Sequence, residues 1–257
     1  MPMIYIFKME YRRCLVYKSE VLFSVVSSAI SILVQMALWK YLYRDNWARA
    51  EYMTAYVILS VILGIIYSNT IYYTITEKIA NGNFALELLK PVDFLVLHYM
   101  RSLGNICGQI SFRAVPISIL FWPIISKNIN IILAIKALPF IVAGHIFCTA
   151  LFMWCGLISF VIVESWAIRR LTDNTISFLA GAVIPIAVFP DSLEKIVRAL
   201  PFQYLYDYPI RIILGELTGY EIYMKGLISI VHGFLVMWVV VFVTFRLAIR
   251  NCTIQGG

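Results

Sequence analysis

Residues Glu77–His98, EKIANGNFALELLKPVDFLVLH, interrupt long apolar runs with enough charge and turn chemistry to fold as an element of their own. Asn81, Gly82 and Asn83 form a turn cluster, Phe84 to Lys90 is helix-prone, and Pro91 ends the helix. The spacing sets Phe84, Leu88 and Leu89 near one face, with Glu87 and Lys90 off it. It predicts a short amphipathic helix standing outside a bilayer, either a solvated loop helix or a seat for a protein partner.

Around this stretch the chain is built for lipid. It has 257 residues, of which 61% are hydrophobic and 14% charged, and a mean hydropathy of +0.85, far more apolar than a soluble core of this size uses. A crossing helix needs about 20 apolar residues. Val21–Tyr43, Met53–Tyr73, Leu103–Ile125, Ile131–Val163 and Ile222–Leu247 supply five clear candidates, and Ile176–Pro190 a short, broken one. Runs without strict alternation do not suit barrel strands, so the expected fold is an all-α polytopic membrane protein.

Residues 1–20 lack a small-residue cleavage pattern and scatter Lys8, Arg12, Arg13 and Lys18 among apolar residues at helical spacing. They read as a basic amphipathic helix on the membrane face, leading into a six-helix transmembrane domain over 21–257. A cytoplasmic N-terminus places eleven basic residues inside and nine outside, a small positive-inside excess led by the N-terminal four. The net charge of +7 fits membrane-surface attraction, and nothing in its pattern suggests nucleic acid.

The five cysteines include no C-x-x-C pair, and His98, His145 and His232 are dispersed, so neither a disulfide framework nor a metal site is expected. Ser24 with Ser28, Ser27 with Ser31, and Gly104 with Gly108 repeat at the spacing that brings helices together in lipid. Gln35, Asn69, Asn105, Gln109 and Arg113 should each face protein or water. Arg113 is the most demanding, and an ion pair or a snorkelled boundary position suits it better than a substrate contact.

Ile176–Pro190 reaches only about 22 Å, and Gly181, Pro185 and Pro190 interrupt it; it spans poorly unless it borrows Leu171–Thr175. The following stretch, Asp191–Leu217, offers Asp191 or Ser192 as a helix cap, Pro201 as a stop, and a belt of Phe202, Tyr204, Tyr206 and Tyr208. Pro209 then restarts a helix ending near Gly215. Such a belt belongs at a membrane interface, which predicts a pair of short helices dipping into the outer leaflet and returning.

The run Ile184-Pro185, Phe189-Pro190, Leu200-Pro201-Phe202, Tyr204, Pro209-Ile210-Arg211-Ile212 and Leu214-Gly215 resembles the ABC-2 family of transporter permeases. So do Leu88-Leu89-Lys90-Pro91, the Gln35, Trp39 and Tyr43 side of the first span, the Glu164 and Trp166 turn, and the closing Gln255-Gly256-Gly257. The resemblance implies six spans in a bacterial inner membrane with both termini cytoplasmic. It implies a coupling helix within 77–98 that seats on ABC ATPase subunits through Phe84, Glu87, Leu88, Leu89, Lys90 and Pro91. It also implies an external re-entrant hairpin over 191–217, with Pro201, Phe202, Tyr204, Tyr206, Pro209 and Arg211 as a gate. Asp207, Lys136 and His145 depart from that pattern.

The chain has no G-x-x-x-x-G-K-[ST], so it binds no cofactor in the P-loop manner, and ATP with Mg is expected on the partner ATPase. No paired carboxylates or nucleophile-base set at matched depth supports a membrane enzyme; a channel or structural subunit leaves the charged helix without a purpose. An exporter permease, paired with a second identical or related chain, is the favoured reading. Neutral mid-span groups Gln35, Asn69 and Gln109 among abundant aromatics suit a hydrophobic or amphipathic cargo.

Overall fold

The computed structural model describes residues 2–162 and 166–250, all of whose regular elements are helical. Glu164, Cys252 and Gln255-Gly256-Gly257 lie outside the described residues. In order, the helices are α1 (Pro2–Val16), α2 (Lys18–Leu42), α3 (Trp47–Tyr67), α4 (Ile71–Ala80), α5 (Phe84–Leu88), α6 (Phe94–Gln109), α7 (Val115–Leu120) and α8 (Trp122–Asn128). They continue with α9 (Ile131–Leu157), α10 (Trp166–Leu179), α11 (Asp191–Ala199), α12 (Asp207–Ile213) and α13 (Tyr220–Arg250).

Among the described residues, four helical stretches are long and apolar enough to cross a membrane: Lys18–Leu42, Trp47–Ala80, Ile131–Phe160 and Tyr220–Ile249. Phe94–Leu120 and Trp122–Asn128, bent by 79° between them, make a fifth when the pair is taken as one broken span. Pro123, at the start of α8, cannot donate back into the preceding turn, which lets the chain corner at Phe121. The short segment expected at Ile176–Pro190 is corrected. Its helix is α10, which starts upstream at Trp166, includes Leu171–Thr175 and stops at Leu179. Gly181 then turns the chain with φ 77, and only a 3-10 turn at Ile186–Val188 follows. Fourteen residues reach about 21 Å, short of a hydrocarbon core of about 30 Å.

Small residues decide which helices touch. A Cβ added at Gly104 would lie 2.5 Å from the Phe7 carbonyl oxygen, and one at Gly108 2.5 Å from Cys14 Sγ. The GxxxG of α6 thus receives the N-terminal helix α1, whose Tyr11 ring packs 5.7 Å from Phe112. On α9, Gly144 accepts Tyr67 and Gly156 accepts Ile75, so the long second crossing lies flush against the fourth. The main core forms there, joined by α12 and α13 through Phe140, Met153, Leu205, Ile210 and Val241. By contrast α2 buries only Ile32, Met36 and Trp39, and Leu22, Phe23, Ile30 and Leu33 face outward.

Candidate coupling, gate and path sites

The α4–α6 turn is organised by one carboxylate. Glu87 is 1% exposed, and the face arrangement expected of α5 is corrected accordingly: Phe84 and Glu87 point inward, Leu88 is half-buried, and Leu86 and Leu89 point out, Leu89 at 80% exposure. Phe84 packs 4.7 Å from Phe160 and 5.0 Å from Phe94, and this anchor turns Glu87, one helical turn later, to the same side. There it pairs with Lys78 of α4, with Lys90 at 2.8 Å, and with Arg101 of α6 at 3.3 Å; the His98 imidazole lies 3.6 Å away. Burial alone would raise the Glu87 pKa, but His98, Lys78, Lys90 and the Arg101 charge outweigh it and hold it well below the usual carboxylate range. The turn is therefore a rigid corner whose outer surface carries Leu86, Leu89, Lys90 and Pro91.

The hairpin at 191–217 has two short helices, α11 and α12, joined by a 3-10 turn Pro201–Tyr204. Pro190, rather than Asp191 or Ser192, occupies the cap position of α11, and α12 begins at Asp207, two residues before Pro209. The chain leaves α12 through Gly215 at φ 81. The aromatic belt is also corrected: Tyr206 and Tyr208 are buried, whereas Phe202 and Tyr204 are half-buried. Tyr206 stands edge-on to Tyr67 at 5.2 Å, Tyr208 packs 5.0 Å from Phe140, and Tyr67 donates its hydroxyl to the Leu205 carbonyl at 2.8 Å. Pro201 is exposed and Pro209 buried.

Asp207, the charge that departed from an aromatic pattern, is the centre of this site. It is fully buried and lies 3.4 Å from Arg198 and 3.6 Å from Arg211, which also bonds Glu216 at 2.8 Å. Tyr56 of α3 donates to the Gly181 carbonyl at 2.7 Å and reaches Asp207 Oδ1 at 3.3 Å. Tyr56 sits toward the start of the Trp47–Ala80 crossing and Lys78 at its end, so the two carboxylate clusters brace opposite ends of that crossing.

The three path residues are not gathered. Gln35 is half-buried and bonds Ser31 one turn back on α2. Asn69 is a joint between α3 and α4: its amide donates to Ser102 and Thr149, both at 3.0 Å, and accepts from the Ile71 N–H at 2.9 Å. Gln109 accepts from Arg113 at 2.9 Å and, alone of the three, lines a cleft between α1, α2 and α6. Arg113 thus donates to a neutral amide rather than to a carboxylate. Sequence reasoning passed over Tyr56, Lys78, His98 and Arg101; of the Glu87 contacts only the i,i+3 spacing to Lys90 was a local signal.

These features define a multi-pass α-helical membrane protein whose buried polar clusters lock helices together. Residues 45–256 match the family model described as ABC-2 family transporter protein, and the chain belongs to that family. It is accordingly a permease subunit of an ABC transporter. No curated protein matches it.

Proposed function

We propose that this permease is the membrane half of an ATP-driven exporter in a bacterial inner membrane, with both termini cytoplasmic. Soluble ABC ATPase subunits hydrolyse Mg-ATP, and a second permease chain, identical or related, completes a two-fold unit. The cargo is hydrophobic or amphipathic: an antibiotic, a peptide or a lipid-like molecule.

The observation that carries this reading is the α5 corner. A helix of five residues has little stability of its own, yet Glu87 fixes it to α4 and α6 while Leu86 and Leu89 stay exposed beside Lys90. Rigid apolar side chains rimmed by charge suit a protein groove. Motion of an ATPase seated there would pass directly into the second and third crossings. The outward Ser27 and Ser31 of α2 offer a close-packing face for the second permease. Co-expression with an ATPase and capture through the permease tests the reading. The ATPase should co-purify with the wild-type chain and be lost from a Leu86→Ala, Leu89→Ala variant that folds normally; equal capture by both overturns the assignment of α5.

A further inference from the structure

Where α1, α2 and α6 meet, a cleft of about 190 Å³ is lined by Arg13, Glu20, Ser24, Asn105, Gln109 and Arg113, among others. Three local features build it. The chain breaks at Tyr17 (φ −96, ψ 58) between α1 and α2, which gathers the polar groups of the elbow. Gly104 and Gly108 draw α1 onto α6. Beyond them α6 passes into a π-helical turn, Ile110–Ala114, that carries Arg113; such turns re-aim side chains and recur at functional sites.

The hydrogen-bonding capacity of the cleft is only partly spent. Arg113 Nη1 donates to Gln109, but its Nε is buried without a partner, and so is the Oδ1 of Asn105, a residue only 9% exposed. Each such atom costs about 1–3 kcal/mol, more where a charge is involved. The missing partner must accept from a guanidinium and donate to an amide oxygen. The charges lining the cleft are two guanidiniums, Arg13 and Arg113, and one carboxylate, Glu20; Arg13, largely exposed, also lies 3.7 Å from Glu10 behind it. The elbow joins the basic helix α1 to the apolar run that begins at Val21, which sets the cleft at head-group depth.

We propose that this cleft holds the zwitterionic head group of a phosphoethanolamine lipid, with its phosphate on Arg113 and Arg13 and its ammonium on Asn105 Oδ1 and Glu20. Planar guanidinium forks match phosphate oxygens, and the acyl chains would follow the exposed Leu22, Phe23 and Val26 of α2. The site stands apart from cargo and export direction, since a retained lipid need not be transported.

Native mass spectrometry of the full chain, delipidated and then supplied with single lipids, tests this. Phosphatidylethanolamine should be retained, diacylglycerol should not, and Arg113→Gln should weaken retention by about tenfold to a hundredfold, the worth of a charge-assisted hydrogen bond. Arg113→Lys should recover part of it, and circular dichroism should report equal helix content in every variant used. Glycerophosphoethanolamine, the head group without tails, separates the sources: displacement of the lipid only at large excess supports a lipid site, whereas tight binding of this soluble probe with no lipid retained overturns it. Equal retention of phosphatidylcholine, which lacks N–H donors, overturns the ammonium contact. Equal retention by folded wild type and Arg113→Gln overturns the site.

Discussion

Arg101 of α6 places Nη2 3.3 Å from Oε1 of Glu87 on α5, closing the chain on itself across the Pro91 corner. Replacing Glu87 with Gln leaves Lys78, Lys90 and Arg101 facing one another around a neutral amide. Removing one partner of a buried ionic cluster is worth about 3 kcal/mol or more, and the partial exposure of Lys78 and Lys90 favours the low end. Thermal unfolding in detergent should show a clear drop for Glu87→Gln, and an unchanged midpoint would show that the cluster contributes nothing. A charge reversal at this position therefore tests folding; only Leu86 and Leu89 test docking.

The same cluster sets a pH dependence. The Glu87 pKa in the folded chain lies below its unfolded value of about 4.3, so the unfolded state takes up a proton first as the solution is acidified. Its stabilisation is fully present above the unfolded pKa and fades as pH falls toward the folded one. The gap in melting midpoint between wild type and Glu87→Gln should shrink as the pH falls from about 5 through about 4, the range in which the Glu87 carboxylate is the titrating group. A gap that widens over that acidic range contradicts the assignment.

Gly104 and Gly108 set the seat of α1. A Cβ at position 104 meets the rigid Phe7 carbonyl, whereas one at 108 meets the softer Cys14 side chain. Gly104→Ala should therefore release α1 more than Gly108→Ala does, at a cost of about 1–3 kcal/mol for overpacking. Limited proteolysis after Lys8 and Arg12 reads the release directly, and cleavage no faster than in the wild type would place α1 elsewhere.

How far these features were legible in the sequence follows from the range of the interactions. The crossings announced themselves through apolar length, and Gly104 with Gly108 announced a close approach, because both signals are local. The facing of α5 did not: five residues give too few turns for periodicity to fix a face, and the inward turn of Glu87 comes from cations nine residues before it and fourteen after it in the chain. Tyr206 and Tyr208 read as interfacial because tyrosine commonly is. Their burial rests on Tyr67 and Phe140, which lie in other helices and leave no trace in the local pattern.

Tyr56 ties the end of α10 to the hairpin. Tyr56→Phe keeps the ring and removes the donor to Gly181 and Asp207, leaving a buried carbonyl and carboxylate short of a partner. The expected loss is about 1–3 kcal/mol. Asp207→Asn should cost more, since it strands Arg198 and Arg211. The double variant should lose less than the sum of the singles, and strict additivity in a thermal-unfolding cycle would mean that the two groups do not act together.

The half-buried rings of the hairpin, rather than its buried ones, are the place to test gating. Tyr206→Ala opens a cavity beside Tyr67 and Leu205, at a cost of about 3–5 kcal/mol by analogy with large aromatic deletions, so a loss of transport there would report unfolding. Phe202 stands edge-on to Phe147 at 6.2 Å and Tyr204 packs on Tyr208 at 5.0 Å, and both keep exposed surface that cargo or lipid can meet. Pro201 starts the 3-10 turn that carries them and Pro209 lies in the first turn of α12, while Arg211 is committed to Asp207 and Glu216. In vesicles carrying the permease with its ATPase, Phe202→Ala and Tyr204→Ala together should cut ATP-dependent export of an amphipathic dye by about tenfold. Melting midpoint and ATPase capture should stay near wild type, and Tyr206→Phe, which keeps the packing, should transport normally. Undiminished dye export by the double variant would remove these rings from the gate, and robust export of a small, multiply charged solute would overturn the cargo class.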